Sequence, residues 1–138
     1  MKLWEGLGYY NRVRNMQTAA RTVVCEYEGV LPASYEELLS LKGIGNYTAG
    51  AIASIAYQIP VPAVDGNVLR VISRITEDRQ DIMKQSVRRQ IEENLLGIMP
   101  EETPGDFNQA LMELGAVFVC QMDQHAVKHV RCRSTVLH

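Results

Sequence analysis

The sequence predicts an all-α protein, and three observations carry that prediction. Apolar residues recur at three- and four-residue steps through most of the chain, the period of a helix with one buried face. No stretch alternates apolar and polar residues over the length of a strand. The periodic stretches are separated by glycine, proline and capping residues, with no internal repeat and no low-complexity linker.

The elements follow in order. Asn11 to Tyr27 places Val13, Met16, Ala19, Ala20, Val23 and Val24 at the spacing of a one-sided helix, and Gly29 and Pro32 end it. Cys25 falls near the apolar face of that helix and is expected in the core, where a free thiol behaves as a small hydrophobe. Ser34 with Glu37 reads as a capping box that opens a short helix to Leu41. A glycine hairpin, residues 41–46, then leads into an apolar helix from Tyr47 to about Tyr57. After the acidic turn Val64-Asp65-Gly66-Asn67, an amphipathic helix from Asn67 to Ile75 carries Val68, Val71, Ile72 and Ile75. Gln85 to Ile98 presents Val87, Ile91, Leu95 and Ile98 on one face, and Phe107 to Val119 presents Leu111, Met112, Leu114 and Val117. Pro100 and Pro104-Gly105 punctuate the gap between these last two.

A length of 138 residues suits one compact domain, or parts of two lobes sharing a cleft. The composition, 46% apolar and 22% charged with no membrane-length apolar run and no signal-like start, points to an intracellular monomer without a membrane partner. The net charge of −2 gives no bulk attraction for nucleic acid, so any contact with DNA must rest on local geometry. The three cysteines, Cys25, Cys120 and Cys132, lack metal-ligand spacing among themselves.

Chemistry is suggested most strongly between Leu41 and Asn67. Gly43 and Gly45 flank Ile44 at a helix start, which lets another backbone approach closely and leaves unpaired N–H groups facing outward. That is an anion site suited to a phosphate. Asp65, in a second turn that opens a second helix, can be held facing whatever the hairpin grips. Each feature also has a purely structural role open to it. Glycine pairs close turns between packed helices, aspartate is a favoured N-cap, and an aromatic pair such as Tyr9-Tyr10 often belongs to a core or its rim.

Four ordered motifs go further. Leu3-Trp4-Glu5-Gly6-Leu7-Gly8-Tyr9-Tyr10-Asn11-Arg12, the LKGIGNYTAGAIASIAY run from Leu41 to Tyr57, PAVDGNVLRV from Pro62 to Val71, and FNQALMELGAVFVC from Phe107 to Cys120 resemble the MutY-type adenine DNA glycosylases of the helix-hairpin-helix superfamily. The resemblance covers residues 1–120. It implies a fold with a six-helix barrel lobe, whose later helices are residues 1–62, and a cluster lobe with the catalytic turn in 63–120. It implies excision of adenine mispaired with 8-oxoguanine or guanine in double-stranded DNA, inside the cell or nucleoid.

By the same resemblance, Gly43, Ile44, Gly45 and Thr48 hold a DNA phosphate, and Tyr9 is the aromatic wedge beside 8-oxoguanine while adenine is flipped out. Asp65 stabilises the sugar cation as the N-glycosidic bond breaks, and Asn67 orients that aspartate. Tyr47 sets the subclass: the endonuclease III-like enzymes have a lysine here that forms a Schiff base, which tyrosine cannot do. Leu69 likewise stands where another lysine is sometimes found. The reaction implied is therefore base removal without strand cleavage. The competing readings are a glycosylase/lyase and a non-catalytic hairpin module that only binds DNA.

Two departures bear on activity. In the family, helices before the Leu3-Trp4 motif carry the glutamate that protonates the leaving adenine, so a chain of these residues alone is expected to be truncated and nearly inert. The family also continues from Cys120 as C-x6-C-x2-C-x5-C around a 4Fe–4S cluster, and only Cys120 keeps its place. Residues 121–138 are expected to be a frameshifted cluster loop, the alternative being an unrelated natural tail. If the codons of Ala126, His129 and Thr135 end in T, the GT that opens Val127, Val130 and Val136 completes cysteine codons at the family spacing.

Overall fold

The computed structural model describes residues 10–117. Six helices run through them: α1 (Tyr10–Glu26), α2 (Tyr35–Ser40), α3 (Asn46–Tyr57), α4 (Gly66–Ile75), α5 (Gln85–Ile98) and α6 (104–117). No strand occurs among the described residues. Ser34 accepts from the Glu37 N–H at 3.5 Å, as the capping box requires, but its hydroxyl turns to the Glu36 carboxylate at 3.1 Å. α6 starts three residues before the expected Phe107. Pro104 is at its first position, where a missing N–H costs nothing because the first helical donors have no partner inside the helix.

Apolar burial divides into two clusters. Val23 of α1, Leu38 and Leu41 around α2, and Ala49 and Ala53 of α3 form one. Val64, Val68 and Leu69 at the start of α4 and Val87, Ile91 and Leu95 of α5 form the other, with Phe107 and Leu111 of α6 packed against it. The segment 58–65 carries the chain from the first cluster to the second. α6 begins so close to α3 that a Cβ on Gly105 would lie 2.7 Å from the Ser54 carbonyl oxygen.

α1 departs from expectation. Of its apolar stripe only Val23 is buried, while Met16 and Val24 are 57% and 66% exposed. Cys25 is exposed rather than in the core, because it stands two residues from Val23, about 200° around the helix from the buried position of α1. Met16, Ala20 and Val24 instead wall an open groove of about 590 Å³ with Leu31 and Ile52. No helix among the described residues is long and apolar enough to cross a membrane.

Candidate functional site

The two hairpin glycines have different reasons to be glycine. Gly43 has φ +81°, and a Cβ there would lie 2.7 Å from the Cβ of Asn15, so both its backbone and its packing exclude a side chain. Gly45 has an ordinary φ of −95°, and a Cβ there would meet nothing within 4 Å. Nothing among the described residues requires Gly45 to be glycine.

Gly45 is the N-cap of α3 and offers no side-chain bond, so the N–H groups of Gly45, Asn46, Tyr47 and Thr48 find no acceptor among the described residues. They form a donor cluster at the positive end of a helix. The Ile44 N–H differs from expectation: it donates to the Leu41 carbonyl at 3.2 Å, and the side chain is half-buried against the first core. The outward amides are therefore those after Ile44. Thr48 is exposed, with its side chain on the groove beside α1.

Asp65 is the N-cap of α4, and one of its carboxylate oxygens is saturated. Oδ1 accepts from the Asn67 N–H at 3.0 Å and the Val68 N–H at 2.8 Å, while Oδ2 has only a long 3.4 Å contact from the Asn67 amide. The Asn67 side chain is held in turn: its Oδ1 accepts from Arg70 Nη2 at 3.0 Å, and Arg70 Nε donates to the Gly66 carbonyl at 2.9 Å. This chain of bonds fixes the carboxylate plane and leaves one oxygen edge open. Burial, with the Asp65 charge adding to it, pushes the Tyr47 hydroxyl above its ordinary pKa, so it stays protonated and neutral near pH 7. Tyr47, in the first turn of α3, thus lies near enough to the cap of α4 to feel the Asp65 charge.

The backbone leading to Asp65 hangs from α6. Asn108 is fully buried, accepts from the Ala63 N–H at 3.1 Å, and donates to the Val61 carbonyl at 2.9 Å and to Ser54 Oγ at 2.8 Å. Sequence reasoning missed both Arg70 and Asn108. The signal for Asn108 was available: it lies three and four residues before Leu111 and Met112, so an uncharged polar residue occupies an apolar helix face. Arg70 stands three residues after Asn67, the spacing at which helical side chains meet.

Tyr9 and Cys120, assigned by resemblance to the wedge and the cluster, lie outside the described residues, as does the 121–138 tail. Among the described residues no group of three or more His, Cys, Asp or Glu could hold a metal ion, so none fits a cluster.

Comparisons with known proteins bear on the family and the fold. The helix-hairpin-helix motif family matches residues 26–55, which span α2, the glycine turn and most of α3. The human adenine DNA glycosylase is 48% identical over 120 residues, 86% of this chain and 22% of its own length. The Mycobacterium tuberculosis adenine DNA glycosylase is 36% identical over 139 aligned positions, 94% of this chain and 45% of its own. Endonuclease III, in a non-covalent complex with DNA, superposes with a TM-score of 0.63 at 33% identity, over 77% of this chain and 47% of that one. The chain spans less than half the length of each of these relatives. An all-helical fold with a glycine hairpin opening α3 accompanies these sequence matches, and the chain belongs to the helix-hairpin-helix DNA glycosylases, within their MutY-type adenine family.

Proposed function

We propose that the chain forms the hairpin and catalytic turn of a monofunctional adenine glycosylase of base excision repair, acting inside the cell on A opposite 8-oxoguanine or guanine in duplex DNA. One observation carries the reading: Asp65 is locked through Oδ1 while Oδ2 holds only a long bond from Asn67, and its charge reaches Tyr47 at the start of α3, where the N–H groups are unpaired. The donors at Gly45 to Thr48 hold a backbone phosphate, which fixes the flipped nucleotide relative to Asp65. As the bond from the sugar to adenine lengthens, positive charge grows on the sugar. The open oxygen of Asp65 balances it at close range, directly or as a transient adduct that water then opens. The rigid capping bonds keep the carboxylate from having to reorganise during this step.

Adenine leaves with a proton, which by resemblance comes from a glutamate on helices that precede the Leu3-Trp4 motif in the family. Tyr47 has no amine, so no imine forms and the strand stays intact. The two apolar clusters, either side of residues 58–65, support a two-lobed reading with Asp65 at the junction. The iron–sulfur cluster implied by Cys120 carries no step. The test is a duplex with one A opposite 8-oxoguanine, incubated with this chain and with the chain extended to the length of its relatives. Free adenine with an uncut strand is expected from the extended chain, and little release from this chain alone. A strand break, or an adduct trapped by borohydride, argues for lyase chemistry instead.

A further inference from the structure

A chain with a net charge of −2 that binds a polyanion must concentrate positive charge where the two meet. Beside the hairpin such a place exists. A cleft of about 390 Å³ lies between the start of α3 and the first half of α5, with Gly45, Asn46 and Tyr47 on one wall and Arg88, Arg89 and Glu92 on the other. Arg88 is partly buried, Arg89 is exposed, and neither guanidinium has a hydrogen bond or ion pair among the described residues. Glu92, one turn further along α5, lies near enough to Tyr35 to raise its pKa, so its charge is shared with α2. Two unpaired arginines left facing a cleft contribute nothing to folding that an uncharged residue could not. Each presents a planar fork of donors that matches two oxygens of a phosphate.

We infer that Arg88 and Arg89 form a second phosphate site, which takes the DNA backbone phosphate next along the strand from the one at Gly45 to Thr48. This rests on the reading of the hairpin as a DNA grip, and it assigns α5 a part in that grip. Gly45, Asn46 and Tyr47 belong to both the hairpin donor cluster and the wall of this cleft, so the two sites adjoin. Glu92 opposes the same phosphate and weakens the site; its removal should strengthen it.

The test is the salt dependence of affinity for a short labelled duplex, measured on the chain as it stands. Each phosphate contact contributes about 0.9 to the slope of log K against log salt. Arg88→Gln with Arg89→Gln should flatten the slope by about 0.9 and weaken binding roughly tenfold or more at low salt. Arg88→Lys with Arg89→Lys should keep most of the slope, and Glu92→Gln should tighten binding. Unchanged slope in the folded glutamine variant, or weaker binding by Glu92→Gln, overturns the second site while leaving the hairpin reading in place. Where the glutamine variant fails to fold, Glu92→Gln decides alone. A parent chain that binds no duplex even at low salt overturns both.

Discussion

Replacing Asn108 with alanine should destabilise the protein more than any surface change near the site. The side chain makes three bonds, to the Ala63 N–H, the Val61 carbonyl and Ser54 Oγ. Ser54 keeps a second partner, since its hydroxyl donates to the Ala51 carbonyl at 3.3 Å. The Ala63 N–H and the Val61 carbonyl would be orphaned, each at about 1–3 kcal/mol, so the expected loss is about 2–6 kcal/mol. For a chain of this size that lowers the melting temperature by roughly 8–24 °C. Asn108→Asp sharpens the argument, because it keeps the shape and the acceptor but places an oxygen against the Val61 carbonyl and can no longer donate to it. It should lose at least as much as the alanine variant at neutral pH. Urea unfolding followed by circular dichroism, with midpoint and slope fitted separately, measures both. A loss under about 1 kcal/mol for alanine, or an aspartate variant as stable as the parent, would refute the idea that residues 61–63 hang from α6 and so position Asp65.

The two hairpin glycines should separate cleanly. Gly43→Ala should cost about 2 kcal/mol or more, from positive φ and the collision with Asn15, whereas Gly45→Ala should leave stability within about 0.5 kcal/mol and still weaken duplex binding. Gly45→Asp should weaken binding further and equally for all sequences; unchanged affinity in either folded variant would return Gly45 to a merely permissive turn residue. Alkaline titration of the tyrosines, compared with Tyr47→Phe, should place the Tyr47 transition above the ordinary value of 10.0. Because the folded pKa is the raised one, this stability contribution is complete below the unfolded pKa and is lost as pH rises through the folded pKa. A Tyr47 transition at the ordinary value would remove the burial argument. Sequencing the coding DNA should find T before the valine GT at codons 127, 130 and 136, and any other base there sinks the frameshift account of the tail.

Much of the fold could be read in the chain because local signals and tertiary packing agree. Ser34, Gly45 and Asp65 stand at the helix starts they announce, and Val68, Val87, Ile91 and Leu95 are buried on the faces their spacing implies. α1 was misjudged because periodicity reports which face is apolar, not how much of that face another element covers; Met16 and Val24 line an open groove and Cys25 faces solvent. At the site, the resemblance supplied Asn67, while residue types and spacing picked out Asp65 and the glycines as candidates. They could not separate Gly43 from Gly45, because the difference lies in Asn15, which reaches Gly43 from another helix. The same limit hid Asn108, whose partners are 45 to 54 residues away.

The central claim is that Asp65 is the catalytic carboxylate and not only the cap of α4. Asparagine at this position can still accept the two backbone bonds to Oδ1, so Asp65→Asn separates the roles. Single-turnover release of adenine from A opposite 8-oxoguanine, measured beside duplex affinity on the chain extended to the length of its relatives, should fall at least about 100-fold with affinity little changed. Release near the parental rate, in a variant that folds and binds as the parent does, would leave Asp65 as a helix cap and place the chemistry elsewhere.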